Sequence, residues 1–218
     1  MVLLSAFANL LSPAGVVRFC RGFAWFLVDL LGVRRNLMLK NLGIAFGEAW
    51  DQKRRHEVAV ASVYNFTLTI FEFLRANRVP IQQHIDFAGR EHMYRALARG
   101  QGVYCLCFHM GNWEAMGSAI SHSIHQCRVI VKRVGPPEID RFVTERRDLI
   151  RFGTIKKAKK GEGYKGIQDA LARNEIVGFV MDQSRPGNPY LEFFGQPART
   201  NTSFAAIWRR CPAPIIPG

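Results

Sequence analysis

Val103-Tyr104-Cys105-Leu106-Cys107-Phe108-His109-Met110-Gly111-Asn112-Trp113-Glu114 is the stretch on which the fold turns. The apolar run at 103–108 lies between Gly102 and Gly111, so it reads as a buried strand bracketed by turn signals. Such a strand delivers His109 to its carboxyl end. Two residues five apart on a regular helix sit about 140° apart around the axis, so His109 and Glu114 cannot share a helical face. A turn has to bring them together. Gly111 permits that turn, Asn112 is a good N-cap, and Glu114 then falls in the first helical turn, where the macrodipole favours a carboxylate. A base, a carboxylate able to orient it and unpaired backbone N–H groups thereby share one small volume. These parts can activate a hydroxyl and stabilise an oxyanion. The same corner also suits a histidine that only caps or packs.

Outward from this corner the rhythm from Ile85 onward is strand, helix, strand. Residues 85–87 form a short strand ending at Gly89, 91–99 a helix and 113–124 the helix after His109. A strand at 128–131 follows, then a highly charged helix at about 138–151 and a helix at 164–173. A buried strand at 176–181, a helix at 203–210 and a terminal Ile215-Ile216 strand complete the series. Strands separated by helices of this length imply right-handed crossovers, hence an α/β fold with a mainly parallel sheet flanked by helices. Ligands bind such sheets beyond the carboxyl ends of the strands. His109 and Asp182 both occupy such ends, and Asp182 there can orient an Arg or an acceptor hydroxyl.

The N-terminal stretch is different. Between residues 16 and 31, Arg18, Arg21, Trp25 and Asp29 recur at three- and four-residue spacing among Phe19, Phe23, Phe26, Leu27, Leu30 and Leu31. That pattern is a helix with a narrow polar stripe and a wide apolar face, read as an interfacial membrane helix. A helix buried against the core and a single-pass anchor are the competing readings. Pro13, Gly15 and the charges interrupt any long apolar run, and no basic region precedes the first one as in a secretory signal. The expected division is therefore a membrane-associated segment at 1–33 and an α/β domain at 34–218. Within the latter, Asp51 caps a long helix running towards Asn77, with Val60, Val63, Ile70, Phe71, Phe73 and Leu74 as its apolar contacts, and Pro80 ends the helical region.

A length of 218 residues suits one domain with a sizeable core. The formal net charge of +13 gives a strong positive field, suited to nucleic acid, anionic lipid, an acidic carrier protein or a phosphorylated substrate. The densest basic run is Lys156-Lys157-Ala158-Lys159-Lys160. Five cysteines, Cys20, Cys105, Cys107, Cys127 and Cys211, lie mostly in apolar runs and read as reduced core residues. Cys105 and Cys107 lack a second ligand pair at zinc spacing, so neither a metal nor another cofactor is expected.

His-x-x-x-x-Glu, set as His109 to Glu114, resembles the signature of the glycerolipid and lysophospholipid acyltransferase superfamily. Its extension through Gly111-Asn112-Trp113-Glu114 resembles the lipid A acyltransferase branch. Three further blocks are similar to that branch: Arg34-Arg35-Asn36 with Asn41-Leu42-Gly43-Ile44-Ala45-Phe46, Asp182-Gln183-Ser184, and Phe193-Phe194-Gly195-Gln196-Pro197-Ala198-Arg199-Thr200. The resemblance implies transfer of a fatty acyl chain from an acyl carrier protein thioester to a hydroxyl of a phosphorylated glycolipid, a lipid A precursor. It places the enzyme at the cytoplasmic face of the bacterial inner membrane. His109 would be the general base and Glu114 its orienting carboxylate, without a covalent enzyme intermediate. Gly111 and Asn112 at the helix start, Arg133 after the 128–131 strand, and Arg147 would serve the oxyanion or substrate, together with Asp182. Arg199 and Thr200 would hold a phosphate, and Phe193, Phe194 and Gly195 would form a wall and turn near the acyl groove. Related enzymes run further than Gly218, so a chain continuing past this point is expected.

Two other functions compete. One is an acyl-CoA-dependent transferase for another glycolipid, such as a phosphatidylinositol mannoside. The other is a non-catalytic basic protein that binds a membrane or nucleic acid, although no nucleic-acid reading motif is present.

Overall fold

A computed structural model describes residues 2–76, 78–157 and 161–218. In chain order, α1 spans Val2–Leu10, α2 Pro13–Trp25, α3 Arg35–Phe46, α4 Gln52–Leu74 and α5 Arg90–Leu97. Then come β1 Val103–Cys107, α6 Trp113–Ser123, β2 Cys127–Val131, α7 Pro137–Leu149, β3 Gly153–Lys156, α8 Glu162–Ala172 and β4 Ile176–Val180. A hairpin of β5 Tyr190–Phe193 and β6 Gln196–Arg199 precedes α9 Ser203–Trp208 and β7 Ile215–Pro217. Backbone contacts gather these into two units, Val2–Arg75 with Tyr190–Ala198, and Ala76–Pro189 with Arg199–Gly218. That grouping differs from a division at residue 33. Most of the basic run after Lys157, residues 158–160, lies outside the described residues, as does Asn77.

The second unit is the α/β part. Its five strands are all parallel, in the order β3-β2-β4-β1-β7. The central pair, β1 and β4, runs in register from Val103 opposite Ile176 to Cys107 opposite Val180. Both are near-continuous apolar runs because both of their faces are covered. Tyr104, Val177, Phe179, Ile167, Leu171 and Phe204 build one side of the core. Elsewhere a small apolar cavity is lined by Cys105, Cys107, Cys127, Gly117 and Phe152. Gly117 is the closest approach: a Cβ there would lie 2.3 Å from the Phe152 ring, so α6 admits no larger residue at this contact without displacing that ring. All five cysteines are free. Burial pushes the Cys105 thiol up to about 12 and the Cys107 thiol to about 11, and lifts Cys127 well above its ordinary value. They stay protonated and act as small apolar side chains.

Two strand expectations change. Residues 85–87 form no strand, since no neighbouring strand offers them a hydrogen-bond ladder. Ile85 and Phe87 instead line an apolar cavity of about 580 Å³ with Met93, Ile120, Ile124 and Ile216. Conversely β3, short and ending in an exposed lysine, adds an edge strand that pairs with β2 alone among the described strands.

The first unit is helical apart from the hairpin. The expected 16–31 helix is α2 followed by one π-helical turn at Phe26–Leu30. Ser12 caps α2 by accepting from the Gly15 N–H, and α2 packs on α4 through a stripe containing Val16, Cys20 and Ala24. Asp29 is not part of a solvent stripe alone, because it meets His56 of α4 at 2.5 Å. Trp25, Leu30 and Leu31 stay exposed. Asp51 caps α4 as expected, its carboxylate accepting from the Arg54 N–H at 2.7 Å, and Phe71 and Leu74 are buried. Ile70 points outward instead, 36% exposed. Among the described residues α4 is the one helix long and apolar enough to cross a membrane. Residues 3–10 and 13–30 pass that test only together, and they are bent by 119°. In the hairpin, Phe194 and Gly195 have φ of 52° and 68°, a two-residue turn whose twist matches its strands.

Candidate active site

Strand register explains how the site is assembled. Cys107 lies opposite Val180 on neighbouring parallel strands, so the residues two further along, His109 and Asp182, leave the sheet side by side. The Asp182 carboxylate binds His109 twice. One oxygen is 2.8 Å from the ring Nδ1 and the other accepts from the His109 backbone N–H at 3.1 Å. A carboxylate accepting from Nδ1–H leaves Nε2 as the nitrogen that can take a proton. The Trp113 and His109 rings meet in a T-shaped contact, with centroids 4.9 Å apart at 79°.

Glu114, expected beside His109, is occupied elsewhere. It is buried in the first turn of α6 and accepts from Arg147 of α7, with Nε at 2.9 Å from one oxygen and Nη2 on the other. Both side chains are about nine-tenths buried. This forked pair satisfies two charges that would otherwise be costly to enclose, and it clamps α7 to the start of α6. The carboxylate on the imidazole is thus that of Asp182, two residues past the end of β4, and not that of Glu114 in α6. Gly111 has φ of +62° and makes the turn, and Asn112 caps α6 by accepting from the Ala115 N–H at 2.9 Å.

His109 opens on a polar cavity of about 290 Å³. Its wall includes Trp113, Arg147, Gln183, Ser184, Asn201 and Ser203, together with three cations to which no motif assigns a site role, Lys132, Lys157 and Arg185. Desolvation in this wall holds the Lys157 ammonium below its ordinary value, and the charges of Arg185 and Lys132 add to the effect. Arg133, by contrast, turns outward and donates to the Gly135 carbonyl at 3.2 Å. Arg199 is exposed, and the Thr200 N–H is engaged by the Pro189 carbonyl at 2.9 Å; neither is among the residues of the cavity wall. The segment carrying them supplies Asn201 and Ser203 instead, joined by a hydrogen bond from the Ser203 N–H to the Asn201 side chain at 2.9 Å. Phe193 and Phe194 touch each other at 4.6 Å in the hairpin turn and are exposed.

A family model describing bacterial lipid A biosynthesis acyltransferases matches residues 2–218. The chain belongs to this family. The match spans nearly the whole sequence and makes the protein an acyltransferase of lipid A biosynthesis. No curated protein matches the chain. In the acyltransferase, the signal that would have found Lys132 is its place one residue past a strand end. Lys157 follows β3, which the hydrophobic pattern did not reveal.

Proposed function

We propose that the acyltransferase moves a fatty acyl chain from an acyl carrier protein thioester to a hydroxyl of a lipid A precursor, with His109 as general base. The observation that carries the reading is the paired contact of Asp182 with His109 at the mouth of a polar cavity. Nε2 takes the proton of the acceptor hydroxyl as its oxygen attacks the thioester carbonyl, and Asp182 stabilises the imidazolium. The tetrahedral oxyanion then collapses, the C–S bond breaks, and Nε2–H returns the proton to the departing thiolate. The products are an ester and a free carrier thiol. Of the arginines singled out by the sequence, Arg147 is the one in the cavity wall, and its charge favours the oxyanion even while Glu114 holds it. Glu114 acts through Arg147 as a positioning residue.

The acyltransferase works from a membrane surface in this reading, at the cytoplasmic face of the inner membrane. Apolar side chains exposed on the helical unit support that placement: Leu3 is 86% exposed and Leu10 83%, and the hairpin exposes Tyr190, Leu191, Phe193 and Phe194.

An acyl-transfer assay in detergent micelles tests the proposal, using labelled acyl carrier protein thioester and a tetra-acylated precursor. Wild type transfers the label, and folded His109→Ala falls by about two to four orders of magnitude in kcat. Transfer undiminished in His109→Ala would remove the general base. Transfer from acyl-CoA alone would replace the donor.

A further inference from the structure

The wall of the His109 cavity is unbalanced in charge. Four cationic side chains line it, Lys132, Arg147, Lys157 and Arg185, and none of its lining residues is a carboxylate. Of the four, Arg147 has its acid in Glu114. No carboxylate pairs with the other three among the described residues. They come from three separate places, the end of β2, the end of β3 and the loop after β4, so chain neighbourhood does not explain their meeting. Exposed lysines usually spread apart, because like charges repel and each side chain has many rotamers. Here desolvation, and after it the charges of Arg185 and Lys132, depress the Lys157 ammonium. Convergence of three unpaired cations in a concave wall beside the reactive histidine calls for an anion supplied by a ligand.

We infer that Lys132, Lys157 and Arg185 form a phosphate-binding subsite that anchors a phosphorylated substrate against His109. A phosphate suits the wall better than a single carboxylate does. Two negative charges on tetrahedrally arranged oxygens match three cations arriving from different elements, and the Ser184 hydroxyl and the second amide N–H of Asn201, whose first is donated to the Gln183 carbonyl, offer neutral donors from the same wall to the remaining lone pairs. Arg185 also explains the segment Arg185-Pro186-Gly187-Asn188-Pro189, whose turn is closed by the Arg185 N–H donating to the Asn188 side chain at 2.8 Å. That turn fixes the backbone from which the guanidinium reaches the wall. The subsite builds on the acyl-transfer reading, in which both substrates carry phosphate: the glycolipid acceptor on its sugar and the carrier on its pantetheine arm.

Calorimetric binding to the full chain tests this without requiring catalysis, so a failure of the acyl-transfer reading stays separate. Inorganic phosphate is the first probe, titrated at constant ionic strength into wild type, the Lys132→Gln/Lys157→Gln/Arg185→Gln triple variant, Lys157→Gln, Lys157→Arg and Arg133→Gln. Wild type is expected to bind, Lys157→Gln to weaken binding about tenfold, and the triple variant to lose it. Lys157→Arg keeps the charge and restores binding, which a mere folding defect in Lys157→Gln would not allow. Glucosamine 1-phosphate and pantetheine 4′-phosphate then identify the source, since the fragment that binds more tightly names acceptor or donor. Absence of phosphate binding up to about 10 mM overturns the subsite. So does equal weakening in Arg133→Gln, which would assign the affinity to net charge instead of the cavity wall.

Discussion

Replacing Asp182 by Asn keeps the shape of the side chain but lets an amide N–H face Nδ1, which favours the imidazole tautomer with its proton on Nε2. In the proposed mechanism the base is then blocked where it has to accept. Asp182→Asn is expected to lower kcat by about two to four orders of magnitude with little change in thermal stability. Glu114→Gln behaves differently, because it leaves the Arg147 guanidinium enclosed without its counter-charge. A loss of about 3 kcal/mol and a fall of roughly 10 °C in melting temperature are expected, read by thermal unfolding. A stable, fully active Asp182→Asn would end the orienting role assigned here to Asp182. At this scale His109, Asp182, Asn112 and Gly111 were legible, since each stands at a strand end or a helix start. The partner of each carboxylate was not. Glu114 and Asp182 both lie near His109, and which of them reaches Nδ1 depends on strand register and on Arg147, which lies on a different helix.

Between elements, Glu175 ties the start of β4 to β2. It accepts from Arg128 Nε at 2.5 Å and from Arg173 Nε at 3.1 Å. Burial pushes the Glu175 carboxyl up, but the hydrogen bonds from Arg128 and Arg173, with their charges, outweigh it and hold the group below its ordinary value. A carboxyl lowered on folding stabilises the native state fully above its unfolded pKa, and that stability is lost as pH falls through the folded value. Glu175→Gln is therefore expected to cost about 1–2 kcal/mol at neutral pH, with the gap to wild type closing in acid. Denaturant melts at several pH values measure it, and a gap that is constant with pH would contradict the assignment. The strands and helices around this pair were readable because apolar runs and Gly punctuation mark them. Residues 85–87 misled because the alternation Ile85-Asp86-Phe87 becomes a strand only when a neighbour supplies the ladder. β3 escaped because four residues beginning with Gly and ending with Lys carry almost no pattern.

For the whole molecule, the proposed membrane association rests on two features, the net charge of +13 and the apolar side chains exposed on the helical unit. Sedimentation with phosphatidylglycerol-containing vesicles is expected to be strong at low salt and to weaken by about tenfold or more near 0.5 M salt, with little binding to neutral vesicles. Equal binding to neutral vesicles at both salt levels would leave the apolar surface alone as the anchor. The grouping of hairpin Tyr190–Ala198 with the N-terminal helices is a property of this scale, since no local pattern links segments so distant in the chain. By itself the sequence determined the α/β class, the strand that carries His109, the placing of Asp182 at a strand end and the resemblance to lipid A acyltransferases. These follow from periodicity, turn chemistry and motifs, which act over a few residues. Tertiary structure alone decided that β1 and β4 are neighbours in register, that Glu114 belongs to Arg147, and that Lys132, Lys157 and Arg185 face one cavity. Those relations depend on strand order and helix packing, whose energies arise between residues that the chain itself keeps far apart.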